Sequence, residues 1–151
     1  MTTLKTIGVS EIRKNMADYF VEAVYKNQLV TLSRYEKEKA FLMGETMLDL
    51  LLKPTVNGHE INVRKEEDGS YTLKYEPLNL LVNNETYEAA SEDLVSLAKD
   101  YTAEYLENID IYMRDQKRKE QLALVILIAK ANNPDEIKNL LGITKDLSKK
   151  I

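Results

Sequence analysis

Cysteine and tryptophan are missing from this chain of 151 residues, and histidine occurs once, at His59. Without cysteine there is no disulfide, no thiolate nucleophile and no cysteine-bearing zinc site. The lack also fits a reducing interior, and we expect a cytoplasmic protein. A Ser/His/Asp triad or an imidazole metal site would rest on His59 alone, in the turn-like "NGHE", where an ordinary loop histidine is the simpler reading. The five glycines, at 8, 44, 58, 69 and 142, are too scattered to form a phosphate-cradling loop. The longest apolar run, residues 122–129, is far too short to span a bilayer. No charged segment followed by an apolar run opens the chain, so no signal peptide is expected. With no nucleophile–base pair in view, the chain does not read as an enzyme, and neither metal nor cofactor is expected.

What is present suits a packed protein. Apolar residues make up 44% and charged residues 30%, enough for one domain or two small ones. The net charge of −4 conceals a segregation. Residues 1–52 hold 7 basic and 7 acidic groups, residues 53–108 hold 5 and 12, and residues 109–151 hold 9 and 6. A difference of this size between segments points to separate parts with separate partners.

Residues 5–9 are β-prone. Ser10 is then a suitable N-cap for a helix over residues 9–24, whose apolar stripe runs Ile12, Met16, Tyr19, Phe20, Ala23, Val24 at the 3.6 period. "LVTLS" and "KAFLMG" read as two strands joined by the charged turn "RYEKE", and "ETMLDLLLK" as a short apolar helix. "KPTVNGH", with proline and Asn-Gly, reads as a linker. In "EINVRKEEDGSYTLKYE" two alternating runs flank Asp68-Gly69, a strong hairpin signal, and "NLLVN" adds a third strand. Thr86 caps a long helix with Tyr87, Ala90, Leu94, Leu97, Ala98, Tyr101 and Tyr105 inward, broken at residues 108–110. A helix over residues 115–131 follows. Asn133 and Pro134 start a last one, which Gly142 ends.

Four groups of residues invite a functional reading. Arg13 and Lys14, with Asn15, would stand in the first turn of the opening helix, where the dipole disfavours cations. A phosphate docked there would reverse the sign. Glu66, Glu67 and Asp68 crowd the hairpin tip, where carboxylates mostly stay hydrated. Tyr71 and Tyr75 belong to a tyrosine-rich second half that reads either as core or as a partner surface. The basic run "RDQKRK" reads either as a solvated helix start or as a nucleic-acid contact.

The stretch "VSEIRKNMADYFVEAVYKNQLVTLSRYEKEKAFLMGETMLDLL" resembles the N-terminal domain of the Phd/YefM antitoxin family. Ser10, Arg13, Asn15 and Met16 fit that family's helix, and Val30, Leu32, Ser33, Arg34, Ala40 and Leu42 fit its two strands. The likeness covers residues 4–52. It implies a homodimer that binds operator DNA, in a protein that neutralises a toxin, commonly a ribonuclease or a translation inhibitor. Carried over by position, the implied DNA contacts are Ser10, Arg13, Lys14, Asn15 and Arg34. The family's turn often reads R-x-G-(K/R)-P; here it is Arg34-Tyr35-Glu36-Lys37-Glu38, without glycine or proline. Residues 61–107 resemble a HicB-like antitoxin module, a small sheet followed by a helix, through "DGSY", the polar-capped helix start and Glu88-Ala89.

The expectation is therefore an α+β protein. A strand-helix-strand-strand-helix domain of Phd/YefM type occupies residues 1–52, with a linker at 53–59. A HicB-like acidic sheet-and-helix domain spans 60–108, and C-terminal helices span 109–151. Its function would be that of an antitoxin repressing its own operon. Its partners would be operator DNA, a cognate protein toxin and a second copy of itself or a higher homo-oligomer, with no membrane. The toxin-facing residues would be Tyr71, Tyr75, Glu66, Glu67 and Asp68. The apolar excess at Met43, Met47, Leu48 and Leu50 to Leu52 motivates the homodimer. The alternative is a stand-alone transcriptional regulator or interaction protein without a toxin; an enzyme using the middle acids is a weaker third.

Overall fold

The structure, a computed structural model, describes residues 6–56 and 60–143. The chain divides into two compact units, residues 1–53 and 54–151. The class is α+β, with one three-stranded sheet in each unit.

In the first unit, β1 (Thr6–Gly8) leads into α1 (Val9–Lys14) and α2 (Met16–Tyr25). A hairpin of β2 (Val30–Arg34) and β3 (Glu38–Leu42) follows, then α3 (Glu45–Leu52). The sheet order is β1-β2-β3, with β1 parallel and β3 antiparallel to β2. Parallel neighbours need a crossover, which the two helices supply. Ile7, Ile12, Ala23 and Val30 form the core, with Tyr19, Leu32 and Leu42 against them.

Two expectations about the opening helix are corrected. It is not continuous. Asn15, at φ −128 and ψ 32, breaks it, although its N–H still reaches the carbonyls of Glu11 and Ile12 at 3.1 and 3.3 Å. Asparagine suits such a joint because its short amide competes for local hydrogen bonds, and here Nδ2 donates to Glu11 Oε1 at 2.8 Å. The break also splits the apolar stripe. Ile12, Tyr19 and Ala23 pack inward, while Met16 and Phe20 are left about half exposed. Nor is Ser10 the N-cap. The helix begins at Val9, Gly8 holds the extended cap position, and no side chain caps it.

In the second unit, β4 (Asn62–Lys65), β5 (Tyr71–Tyr75) and β6 (Leu80–Asn84) form an antiparallel meander. Gly69 takes φ 88 in the β4–β5 turn, where an L side chain would be strained. α4 (Tyr87–Glu107) packs on β5 and β6, starting at Thr86, whose hydroxyl accepts the Ala89 N–H at 3.1 Å. α5 (Ile109–Tyr112) is a single turn. α6 (Gln116–Lys130) and α7 (Pro134–Leu141) pack on α4. The core is continuous from Ile61 through Leu73, Leu94 and Val125 to Leu141 and Ile143. Each such leucine contributes about 1.5–3 kcal/mol by its burial. Residues 60–108 and 109–143 thus share one core rather than forming separate bodies. Of the expected linker, residues 53–56 form a turn of 3-10 helix, and 57–59, with His59, lie outside the described residues.

Tyrosines fasten α4 to α5 and α6. Tyr105 donates to the Arg118 carbonyl, Tyr101 to Gln121 and Tyr112 to Glu104. The Arg118 guanidinium lies 3.8 Å from the Tyr112 ring centroid, so one cation of the basic run is spent on packing.

Candidate functional site

The five residues carried over as DNA contacts all lie in the first unit, and all are exposed. Register explains how they come together. Gly8 pairs with Ser33 across β1 and β2. Helix α1 therefore starts at the end of the sheet where β2 turns at Arg34, which places Ser10 and Arg34 at one end. Four residues along a helix rise about 6 Å, so Arg13 and Lys14 follow one turn on. They occupy the last turn of α1, where the dipole favours cations, and not its first. The premise of a cation on the wrong helix end is thereby corrected. Neither makes an ion pair among the described residues. Arg34 stands 3.9 Å from Glu38 Oε2 and 5.0 Å from the Tyr35 ring centroid. The turn forms without glycine: Tyr35 and Glu36 take φ 51 and 56, and the Lys37 N–H donates to the Arg34 carbonyl at 3.2 Å.

The hairpin acids of the second unit are differently placed. Glu66 Oε1 accepts from Thr72 Oγ1 at 2.6 Å and from Arg64 Nε at 2.8 Å. These two bonds hold its carboxyl below the ordinary range. Asp68 Oδ1 accepts from the Ser70 hydroxyl at 2.7 Å and the Ser70 N–H at 2.9 Å, which lowers it likewise. Both thus serve the turn itself; Glu67 is exposed and uncommitted. Tyr71 is half buried, its ring edge against Tyr87 at 6.2 Å between centroids. Tyr75 is wholly buried on the core side of β5, so its expected place on a partner surface is corrected. Among the described residues no three carboxylates or imidazoles converge as a metal site would require, and no helix is long and apolar enough to cross a membrane.

The family model PHD_like, described as "Antitoxin of toxin-antitoxin, RelE / RelB, TA system", matches residues 1–143. The chain belongs to this antitoxin family. Its antitoxin model spans both units. No curated protein matches the antitoxin. Among solved structures it is similar to a 1.80 Å crystal structure from Syntrophomonas wolfei subsp. wolfei, named as an antitoxin part of a proposed toxin/antitoxin system. Identity is 20%, the TM-score is 0.78, and the match covers 90% of this chain and 95% of the other. At that identity the likeness is one of fold.

Leu50 and Leu51, part of the apolar excess read from the sequence, stand exposed, and α2 adds an uncovered face that was not singled out from the sequence. On α2, Met16 and Phe20, and likewise Val21 and Tyr25, are i,i+4 pairs that stand 42–76% exposed. With Leu50 and Leu51 of α3, 65% and 62% exposed, they leave the first unit with much of its apolar surface uncovered. The signal was available: the stripe of residues 12–24 is wider than one buried face requires.

Proposed function

We propose that this antitoxin neutralises a protein toxin, a ribonuclease or translation inhibitor, through its second unit and represses its own operon through its first. The observation that carries the DNA half is the common end shared by Ser10 and Arg34 through the Gly8–Ser33 register, with unpaired Arg13 and Lys14 one turn away. The break at Asn15 strengthens it. A second helix, α2, begins one residue after those cations; the Asp18 N–H of its first turn donates to the Asn15 carbonyl at 3.1 Å, and the dipole at this end favours an anion such as a DNA phosphate, against the charge of Asp18. The uncovered apolar residues of α2 and α3 suit a homodimer, which would present two such ends to a duplex, as Phd/YefM-type antitoxins do. The second unit keeps the sheet-then-helix order of a HicB-like module. Its acids, with Tyr71, suit a toxin that carries positive charge to hold RNA. A regulatory role without catalysis follows from this reading.

The test is an electrophoretic shift series on the DNA upstream of the antitoxin's own gene, at several salt concentrations. Arg13→Ala and Arg34→Ala should each weaken binding and make the log–log salt slope shallower by about 1. If neither affinity nor slope changes in either variant, the first unit does not read DNA with this end.

A further inference from the structure

We propose that the groove between α4 and α7 receives a basic helix of the toxin. This rests on the reading that the second unit binds toxin, and it names the place. The groove encloses about 750 Å³ between the first two turns of α4 and the length of α7. A volume of this order accommodates several side chains rather than a lone ion. Buried Tyr87 and Ile143 lie along it as apolar floor, and Glu88, Glu92 and Asp135 stand exposed on its walls. Tyr87, almost wholly buried, meets Tyr71 edge to face.

Three further observations select the occupant. First, these carboxylates are uncommitted: none makes a hydrogen bond or ion pair among the described residues. Their neighbours are spent. Asp93 accepts from Asn84 Nδ2 at 2.7 Å, and Glu136 accepts the Asn132 N–H at 2.8 Å. Second, no three acids among the described residues converge on a point, so they do not form a cation cage. They are separate stations. Glu88 and Glu92 are four residues apart on one helix face, about 6 Å along the axis, the spacing at which a partner helix presents Lys or Arg at i and i+4. Third, Lys138 is the one cation lining the groove among the described residues, which leaves three acids against one base. That balance rejects nucleic acid and attracts a basic peptide. A helix lying in a groove between two helices anchors apolar residues on the floor and leaves its charges for the walls. The charges then set association rate and register.

The experiment is calorimetric titration of the full-length antitoxin with the toxin encoded beside it. E88K/E92K/D135K should bind about 100-fold more weakly, with its operator binding unchanged and its thermal melt lowered only by the two lysines set in the first turns of α4 and α7. The same charge change outside the groove, D100K/E107K/D110K, should cost less than about threefold. If the reversed groove variant fails to fold, E88Q/E92Q/D135N replaces it, with an expected loss of about tenfold. Groove variants within threefold of wild type overturn the groove while leaving the toxin reading intact. A folded wild-type antitoxin that binds no toxin overturns both.

Discussion

Gly44 lies against Ala23 so closely that a β-carbon on it would stand 2.9 Å from the Ala23 carbonyl oxygen and 3.2 Å from Val24 Cα. The obstacle is backbone, which cannot swing aside as a long side chain can. This contact seats the segment leaving β3 on helix α2.

Gly44→Ala should therefore force α2 and the start of α3 apart, costing about 1–3 kcal/mol in the first unit. Gly8→Ala serves as the comparison, since nothing lies within 4 Å of its added carbon. Denaturant titration of both variants checks this. Equal stability of the two would show that the α2 contact yields without cost.

Glu36 sits at φ 56 beside Tyr35 at φ 51, where hairpin turns of this kind favour Asn-Gly. Left-handed backbone costs a residue bearing a β-carbon about 1 kcal/mol. Glu36→Gly should raise the stability of the first unit by about 0.5–1 kcal/mol, measured as a shift in its unfolding midpoint. A lower midpoint would mean that the carboxylate contributes more than the strain removes.

Local chemistry accounts for most of what could be read in advance. Thr86, Asn133-Pro134 and Gly142 bound their helices as their residue types dictate, and Asp68-Gly69 closes its hairpin. Each of these signals acts within about four residues. What the chain did not announce depends on contacts from further away. The apolar period runs straight through Asn15, so the break is invisible until the sheet claims Ile12 and Tyr19 and leaves Met16 outside. Tyr75 alternates like a surface-capable tyrosine, yet α4 covers it. The groove needs residues 87–92 of α4 beside residues 135–143, segments more than forty residues apart in sequence, and no local pattern records that they meet.

Phe20→Glu should convert the protein to a monomer. Phe20 is 49% exposed on the α2 face with Met16, and a carboxylate there would have to be desolvated in any paired interface. Light scattering at micromolar concentration reads the mass directly. A monomeric wild-type protein would end the homodimer proposal before the variant is made.

Alkali should open the second unit. Burial pushes the Tyr75 hydroxyl up to about 12. Burial likewise raises Tyr101 and Tyr105, and the hydrogen bond to Glu104 raises Tyr112. In the unfolded chain these phenols ionise near 10. Their contribution to stability is thus complete below pH 10 and is lost as pH climbs through the folded values, toward about 12 for Tyr75. Circular dichroism and tyrosinate absorbance should change together above pH 10. Tyrosines that all titrate near 10 with the structure intact would contradict this.

The two cores also differ in when they can close during synthesis. The first draws on residues 7 to 42, whereas the second joins Ile61 to Leu141 and Ile143 across nearly its whole length. A chain emerging from the ribosome can complete its first unit while the second still lacks α6 and α7. The end that carries Arg13 and Arg34 is then finished well before the groove that needs Asp135. On the proposed assignment of the two units, a nascent copy would complete its DNA-binding end before its toxin groove.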